Sequence, residues 1–163
     1  MVEMKVFGLA LDEDSQVPVL VLKDEDESRV LPIWIGAMEA MAISLALNGV
    51  ELPRPMTHDL LLSTITGMDG EVRRIDVTTL KEGTYYAEIE VRQGEITRRI
   101  DSRPSDAIAL ALRAKAPIFV EQAILEEVAA TQMETGKPVL KDDDADKWTE
   151  LLEKFNADPK LKM

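Results

Sequence analysis

The chain has 163 residues, 45% of them hydrophobic, which suits one domain with one proper core and a short appendage. It has no cysteine, so disulfides, thiolate metal sites and a cysteine nucleophile are excluded. A formal net charge of −12 argues against a nucleic-acid partner on bulk electrostatics, because phosphates reward lysine and arginine. Seven of the acids, however, fall in two short runs, Asp12-Glu13-Asp14 and Asp24-Glu25-Asp26-Glu27. Acids in loops commonly serve solvation and guard against edge-to-edge strand pairing, and local basic surface is compatible with the rest of the charge distribution.

Residues 3 to 11 alternate with a period near two and end at the first acidic run, as a strand followed by a turn does. Residues 17 to 23 and 29 to 35 are β-branched and apolar and flank the second run, which predicts a hairpin. Pro18 and Pro32 must then sit at edge, end or bulge positions, since neither donates to a ladder. Residues 37 to 47 are apolar nearly all round and are followed by Asn48-Gly49, a good left-handed cap, so a sandwiched helix is expected. Pro53 and Pro55 impose an extended entry to another helix with Thr57 as N-cap and a stripe of Leu60, Leu61, Ile65 and Met68.

The pattern then restarts. Residues 71 to 80 read as a strand, and 85 to 92 with 96 to 101 read as a hairpin across Gln93-Gly94. Residues 102 to 116 read as an apolar helix opened by Ser102-Arg103-Pro104-Ser105-Asp106, and Pro117-Ile118-Phe119-Val120 leads to a last helix from Glu121 to about Thr131. Ala42 to Leu47 overlays Ala107 to Leu112 at an offset of 65, which also carries Leu20 to Tyr85 and Ile35 to Ile100. The expected fold is therefore α+β, with duplicated three-strand, two-helix halves (about 3–68 and 71–131) sharing a mixed, largely antiparallel sheet with buried helices.

Residues 132 to 163 change character. The acidic Asp142-Asp143-Asp144-Ala145-Asp146 run precedes a short amphipathic stretch, Trp148 to Phe155, with Leu151 and Leu152 on the same face, suited to docking on the domain or on another subunit. The N-terminus lacks a basic region followed by an apolar one, and the apolar runs are too short to span a bilayer, so a soluble cytoplasmic protein without membrane contact is expected.

No phosphate-binding glycine loop, dinucleotide fingerprint, nucleophile elbow or histidine pair at zinc spacing is present, and His58 is the single histidine. Two polar clusters remain: Arg54, Thr57, His58 and Asp59, and Ser102, Arg103, Ser105 and Asp106, with Glu39 at the corresponding helix start in the first half. If the halves are related by a pseudo-twofold axis, these helix mouths converge on one cleft. Arginine grips phosphate bidentately, helix N-termini offer free N–H groups to anions, carboxylates hold Mg²⁺ or orient water, and His58 suits proton transfer. The same residues have an architectural reading: Thr57 as cap, Glu39, Asp59 and Asp106 as first-turn acids serving helix dipoles, and Arg54 and Arg103 as their ion-pair partners.

Leu31-Pro32-Ile33-Trp34-Ile35-Gly36-Ala37-Met38-Glu39-Ala40, Pro53-Arg54-Pro55-Met56-Thr57-His58-Asp59, Leu80-Lys81-Glu82-Gly83-Thr84-Tyr85-Tyr86 and Ser102-Arg103-Pro104-Ser105-Asp106-Ala107 together resemble the bifunctional nuclease family, in the same order and over roughly residues 3 to 125. The resemblance implies a nuclease of low sequence selectivity acting on DNA and RNA. It marks Glu39, Arg54, Thr57, His58, Asp59, Arg103, Ser105 and Asp106 as motif positions. The chemistry of these side chains, not the resemblance, supplies the expected roles: His58, Asp59, Asp106 and Glu39 catalytic, Arg54, Arg103, Thr57 and Ser105 on the substrate, and Asp59 and Asp106 as ligands for Mg²⁺ or Mn²⁺. The rival expectation is a non-catalytic binding or scaffold protein acting as a homo-oligomer, with a dimer as the first expectation.

Overall fold

The computed structural model describes residues 1–135, with side chains described to residue 131; the acidic run and the Trp148–Phe155 stretch lie outside the described residues. The elements follow in the order β1 (Val2–Leu11), β2 (Pro18–Lys23), β3 (Val30–Trp34), α1 (Ala37–Leu47), α2 (Thr57–Gly67), β4 (Gly70–Lys81), β5 (Thr84–Gln93), β6 (Ile96–Ser102), α3 (Pro104–Ala114), β7 (Ile118–Val120) and α4 (Gln122–Thr135). The fold is α+β. One seven-stranded sheet runs β3-β2-β1-β7-β4-β5-β6, antiparallel throughout except where β7 lies parallel to β4.

Each half supplies an antiparallel three-strand meander, and β7 stands between them, pairing Val2 to Met4 of β1 on one side and Ile75 to Val77 of β4 on the other. From sequence, Ile118-Phe119-Val120 is expected to be a connection leading to the last helix. Three residues are too few to show a period, yet Ile118 and Val120 are buried because this short strand joins the two meanders. It has no counterpart among residues 48 to 56, so the second half carries one strand more than the first.

The prolines fall where a missing N–H is tolerated: Pro18 opens β2 and Pro32 sits in β3, an edge strand. Residues Pro18 to Leu22 are all buried, so β2 is covered on both faces, and its apolar run has no polar alternation for that reason. Two loop acids do more than solvate. Asp12 accepts the backbone N–H groups of Asp14 and Ser15 and the Trp34 indole N–H at 2.9 Å, and Asp24 accepts the N–H of Arg29 and the hydroxyl of Ser28.

The core is continuous, with Leu20, Leu22, Ile43, Ile75, Ile108 and Leu110 fully buried. α3 is its central helix: Pro104, Ser105 and Ala107 to Ala111 are buried, Pro104 takes the first helical position as expected, and Lys115 closes it in the left-handed region at φ 55°. α1 packs on α3, its end marked by Gly49 at φ +62°. α1 is less enclosed than its composition predicts, since Met38 and Leu47 are exposed.

α2 departs further from expectation. No residue of it is fully buried, and the face it turns inward carries His58, Leu62 and Ile65, spaced i, i+4, i+7, while Leu60, Leu61 and Met68 face solvent. The run of three leucines offers two overlapping stripes, and contact with α3 and β4 selects the one continuous with His58. Thr57 is the first helical residue and not the cap. Met56 occupies the cap position, and Asp59 accepts its backbone N–H at 2.9 Å.

Candidate functional site at three helix starts

The first turns of α1, α2 and α3 meet. His58 on α2 places Nε2 3.0 Å from Asp106 Oδ1 on α3. Asp106 Oδ2 accepts from Arg103 Nε at 2.7 Å, and the same guanidinium reaches Glu39 Oε1 on α1 at 3.0 Å. The result is a chain Glu39–Arg103–Asp106–His58 across three elements. Its members differ in exposure: the His58 side chain is 12% exposed, whereas that of Arg103 is 65% exposed and open to solvent.

The local sequence explains this placement. Pro104 fixes the entry to α3, so Arg103 is the extended cap residue and Asp106 lies in the first turn, where the N-terminal partial charge favours a carboxylate. Gly36 does the corresponding work for α1. A Cβ at that position would overlap Glu39 Oε2, so the glycine makes room for the Glu39 carboxylate to fold back over the helix start.

Asp59 belongs to a neighbouring pair. Its Oδ1 accepts from Arg113 Nε at 2.6 Å, and Arg113 also donates to the Ala109 carbonyl at 2.8 Å. The start of α2 therefore straddles α3: His58 holds its first turn and Asp59 its last, seven residues or about 10.5 Å further along the axis. Arg113 had no place among the expected site residues, although its position seven after Asp106 puts it on the same face of the helix.

Burial pushes the Asp106 carboxyl up, but the Arg103 and His58 hydrogen bonds outweigh it and leave the group below the ordinary carboxylate range. Asp59 behaves alike: burial raises it, and the Met56 N–H and Arg113 bring it below its usual value. The bond to Asp106 holds the Arg103 guanidinium above its ordinary value. An ionised Asp106 has only acceptor oxygens, so His58 Nε2 carries the proton of their hydrogen bond and Nδ1 is left as the basic nitrogen.

Of the remaining expected residues, Thr57 and Ser105 are chain neighbours of His58 and Asp106, and Arg54 precedes α2. Arg54 is exposed in the loop before α2 and makes no ion pair or hydrogen bond with the described residues, and Thr57 is exposed with no side-chain partner among them. Ser105 is only 7% exposed, next to the cluster on α3. Beside the cluster, Glu39, Arg103 and Ser105 form one wall of a cleft of about 370 Å³ whose other walls come from Trp34 and from the start of β5 at Thr84 and Tyr85. No group of three or more His, Asp or Glu side chains among the described residues stands at metal-binding spacing. Asp59 and Asp106 are each committed on both oxygens, to Arg113 and Met56 and to Arg103 and His58, and this donor set does not fit a resident divalent cation.

Residues 20–133 match the bifunctional nuclease domain, more than half of the chain. The protein belongs to the bifunctional nuclease domain family. Among its relatives, the uncharacterized protein Rv1829 of Mycobacterium tuberculosis is 35% identical over 160 residues, 96% of each chain. Bifunctional nuclease 1 of Arabidopsis thaliana is 32% identical over 124 residues, 74% of this chain and 38% of the plant protein. Bifunctional nuclease 2 of rice is 32% identical over 121 residues, 72% of this chain and 37% of its own length. The chain thus spans little more than a third of the plant relatives, whereas the mycobacterial match runs nearly end to end. Among the described residues, no helix is long and apolar enough to cross a membrane.

Proposed function

We propose that the protein is a nuclease that hydrolyses phosphodiester bonds of DNA and RNA with low sequence selectivity in the cytoplasm, and that the cluster at the three helix starts is its active site. The observation that carries the proposal is the 3.0 Å contact between His58 Nε2 and Asp106 Oδ1 beside Arg103, in a chain similar to plant bifunctional nucleases. In this reading Arg54 and Arg103 take the non-bridging phosphate oxygens, with Arg54 the cation not already committed to an acid. His58 Nδ1 accepts a proton from the attacking water as its oxygen bonds phosphorus, and returns a proton to the leaving oxygen as the P–O bond breaks. Asp106 fixes the tautomer and offsets the imidazolium charge, as an orienting carboxylate does. Glu39 and Asp59 position Arg103 and the start of α2, and Thr57 and Ser105 flank the substrate path.

Because the carboxylates are engaged by cations, no step of this scheme runs through a resident metal. Mg²⁺ and Mn²⁺ enter as additives that accompany the phosphates. The test is nicking of supercoiled plasmid and cleavage of RNA by protein purified free of contaminating activity, in Mg²⁺, in Mn²⁺ and in EDTA, with Arg103→Ala alongside. Nicking that co-purifies with the wild type and is lost in Arg103→Ala supports the proposal; no nicking under any of these conditions removes it.

Exposed Leu60 and Leu61 on α2 favour a second reading, a non-catalytic binding or scaffold protein that self-associates as a dimer. Sedimentation of wild type and Leu60→Glu, compared with their nicking rates, separates the two: self-association without cleavage supports the scaffold.

A further inference from the structure

The cleft beside the cluster has a lining whose chemistry the hydrolytic steps leave unexplained. Ser105 is more than nine-tenths buried, lines the cleft, and its hydroxyl has no hydrogen-bond partner among the described residues. A buried hydroxyl without a partner forfeits a hydrogen bond, so such a group is usually satisfied by something that binds there. Around it, the N–H groups of Ser105 and Asp106 in the first turn of α3 lack intrahelical acceptors, and no side chain caps that end.

Across the cleft stands Trp34, whose side chain is held by its indole hydrogen bond to Asp12 and yet is about half exposed. A large indole kept at the surface by a specific hydrogen bond offers a rigid π-face with little ordering cost on binding. Tyr85 closes the back of the cleft, its hydroxyl donating to the Pro32 carbonyl at 3.4 Å. Glu39 supplies an acceptor and Ser105 a donor or acceptor at one rim. The cleft volume of about 370 Å³ lies within the small-ligand range of about 300–1,000 Å³. A flat, aromatic group with both donors and acceptors on its edge matches these walls, and Arg103 links the cleft to Asp106 and, through Asp106, to His58.

We infer that this cleft is a nucleobase subsite: an unstacked base lies against Trp34 with its edge on Ser105 and Glu39, while its phosphate reaches Arg103. The inference rests on the nuclease reading for the direction of the strand, and the base comes from a single-stranded polymer. A duplex offers a base to the cleft only at the cost of unpairing and unstacking it, so a single strand is favoured.

The chain has two tryptophans, so Trp148→Phe leaves Trp34 as the sole indole reporter. A phosphorothioate single strand of six nucleotides, the same sequence as a duplex, and a nucleoside 5′-monophosphate are titrated against its fluorescence. The single strand should quench Trp34 and bind at least about tenfold more tightly than the duplex, in line with base–aromatic stacking. Ser105→Ala, in the same background, should weaken that binding about fivefold, the scale of one hydrogen bond. A monophosphate that binds as tightly as the strand assigns the base to a free nucleotide; a strand that binds more tightly assigns it to a polymer. Equal quenching by duplex and single strand, no quenching at all, or an unchanged affinity in Ser105→Ala overturns the subsite. Plasmid nicking measured on the same preparations separates the two claims: nicking without quenching removes the subsite alone, and quenching without nicking removes the hydrolytic reading alone.

Discussion

His58 and Asp106 are 48 residues apart in the chain and 3.0 Å apart in the fold, each in the first turn of its own helix. The contact joins the two motif blocks that sequence reading could only set side by side, and Arg103 extends it to Glu39 on a third helix. Its properties have consequences that can be measured.

The first concerns acid stability. Asp106 and Asp59 have folded-state carboxyls held below their ordinary values, so each contributes stability that is present above the unfolded carboxylate pKa of about 3.9 and is lost as pH falls through the lower folded value. Asp106→Asn and Asp59→Asn should therefore melt below the wild type at pH 7, and the gap should close as pH is taken below about 4. Thermal melts across pH 2 to 7 check this; a gap independent of pH contradicts it.

Arg113 is the more structural of the arginines. Its side chain is 10% exposed and holds both Asp59 and the Ala109 carbonyl. Arg113→Ala leaves a carboxylate and a carbonyl without these donors, a loss of about 1–3 kcal/mol by urea denaturation. In a double-mutant cycle, Asp59→Asn should recover part of that loss, because the two side chains share one interaction.

Gly36 tests the geometry of the cluster with little disturbance to the fold. Its backbone, φ −74° and ψ 158°, suits alanine, and the overlap that a Cβ would create is with the carboxylate end of Glu39 alone. Gly36→Ala should shift stability by no more than about 1 kcal/mol while displacing Glu39 from Arg103. Its nicking rate should match that of Glu39→Gln, and a normal rate in Gly36→Ala with a low one in Glu39→Gln contradicts the packing.

The burial pattern predicts a sharp contrast between leucine-like residues in adjacent helices. Leu60 is 57% exposed, and Leu60→Ser should change stability by less than about 0.5 kcal/mol. Ile108 is fully buried at the centre of α3, and Ile108→Ala should cost about 2–5 kcal/mol. Urea midpoints of the two variants give the comparison.

Local chemistry was legible in the sequence and tertiary selection was not. Pro104 at a helix start, Gly49 past a helix end, and the two hairpins follow from backbone preferences that act within a few residues. The convergence of His58, Asp106, Arg103 and Glu39 was legible only as a condition, that the helix mouths face one another. The face of α2 was not legible, because Leu60, Leu61 and Leu62 are equally apolar and only contact with α3 and β4 distinguishes them. Strand β7 was hidden by its length, and the Asp59–Arg113 pair by a separation of 54 residues that no local pattern spans.

The central claim is that the His58–Asp106 contact does chemistry as well as joining two helices. The direct measurement is the plasmid-nicking rate of His58→Gln and Asp106→Asn, in preparations whose circular dichroism and melting at pH 7 show a folded protein. General acid–base catalysis predicts that each variant falls by about 10²-fold or more and that the double variant falls little further, since the two side chains act as one unit. Folded variants that nick at the wild-type rate would contradict the account.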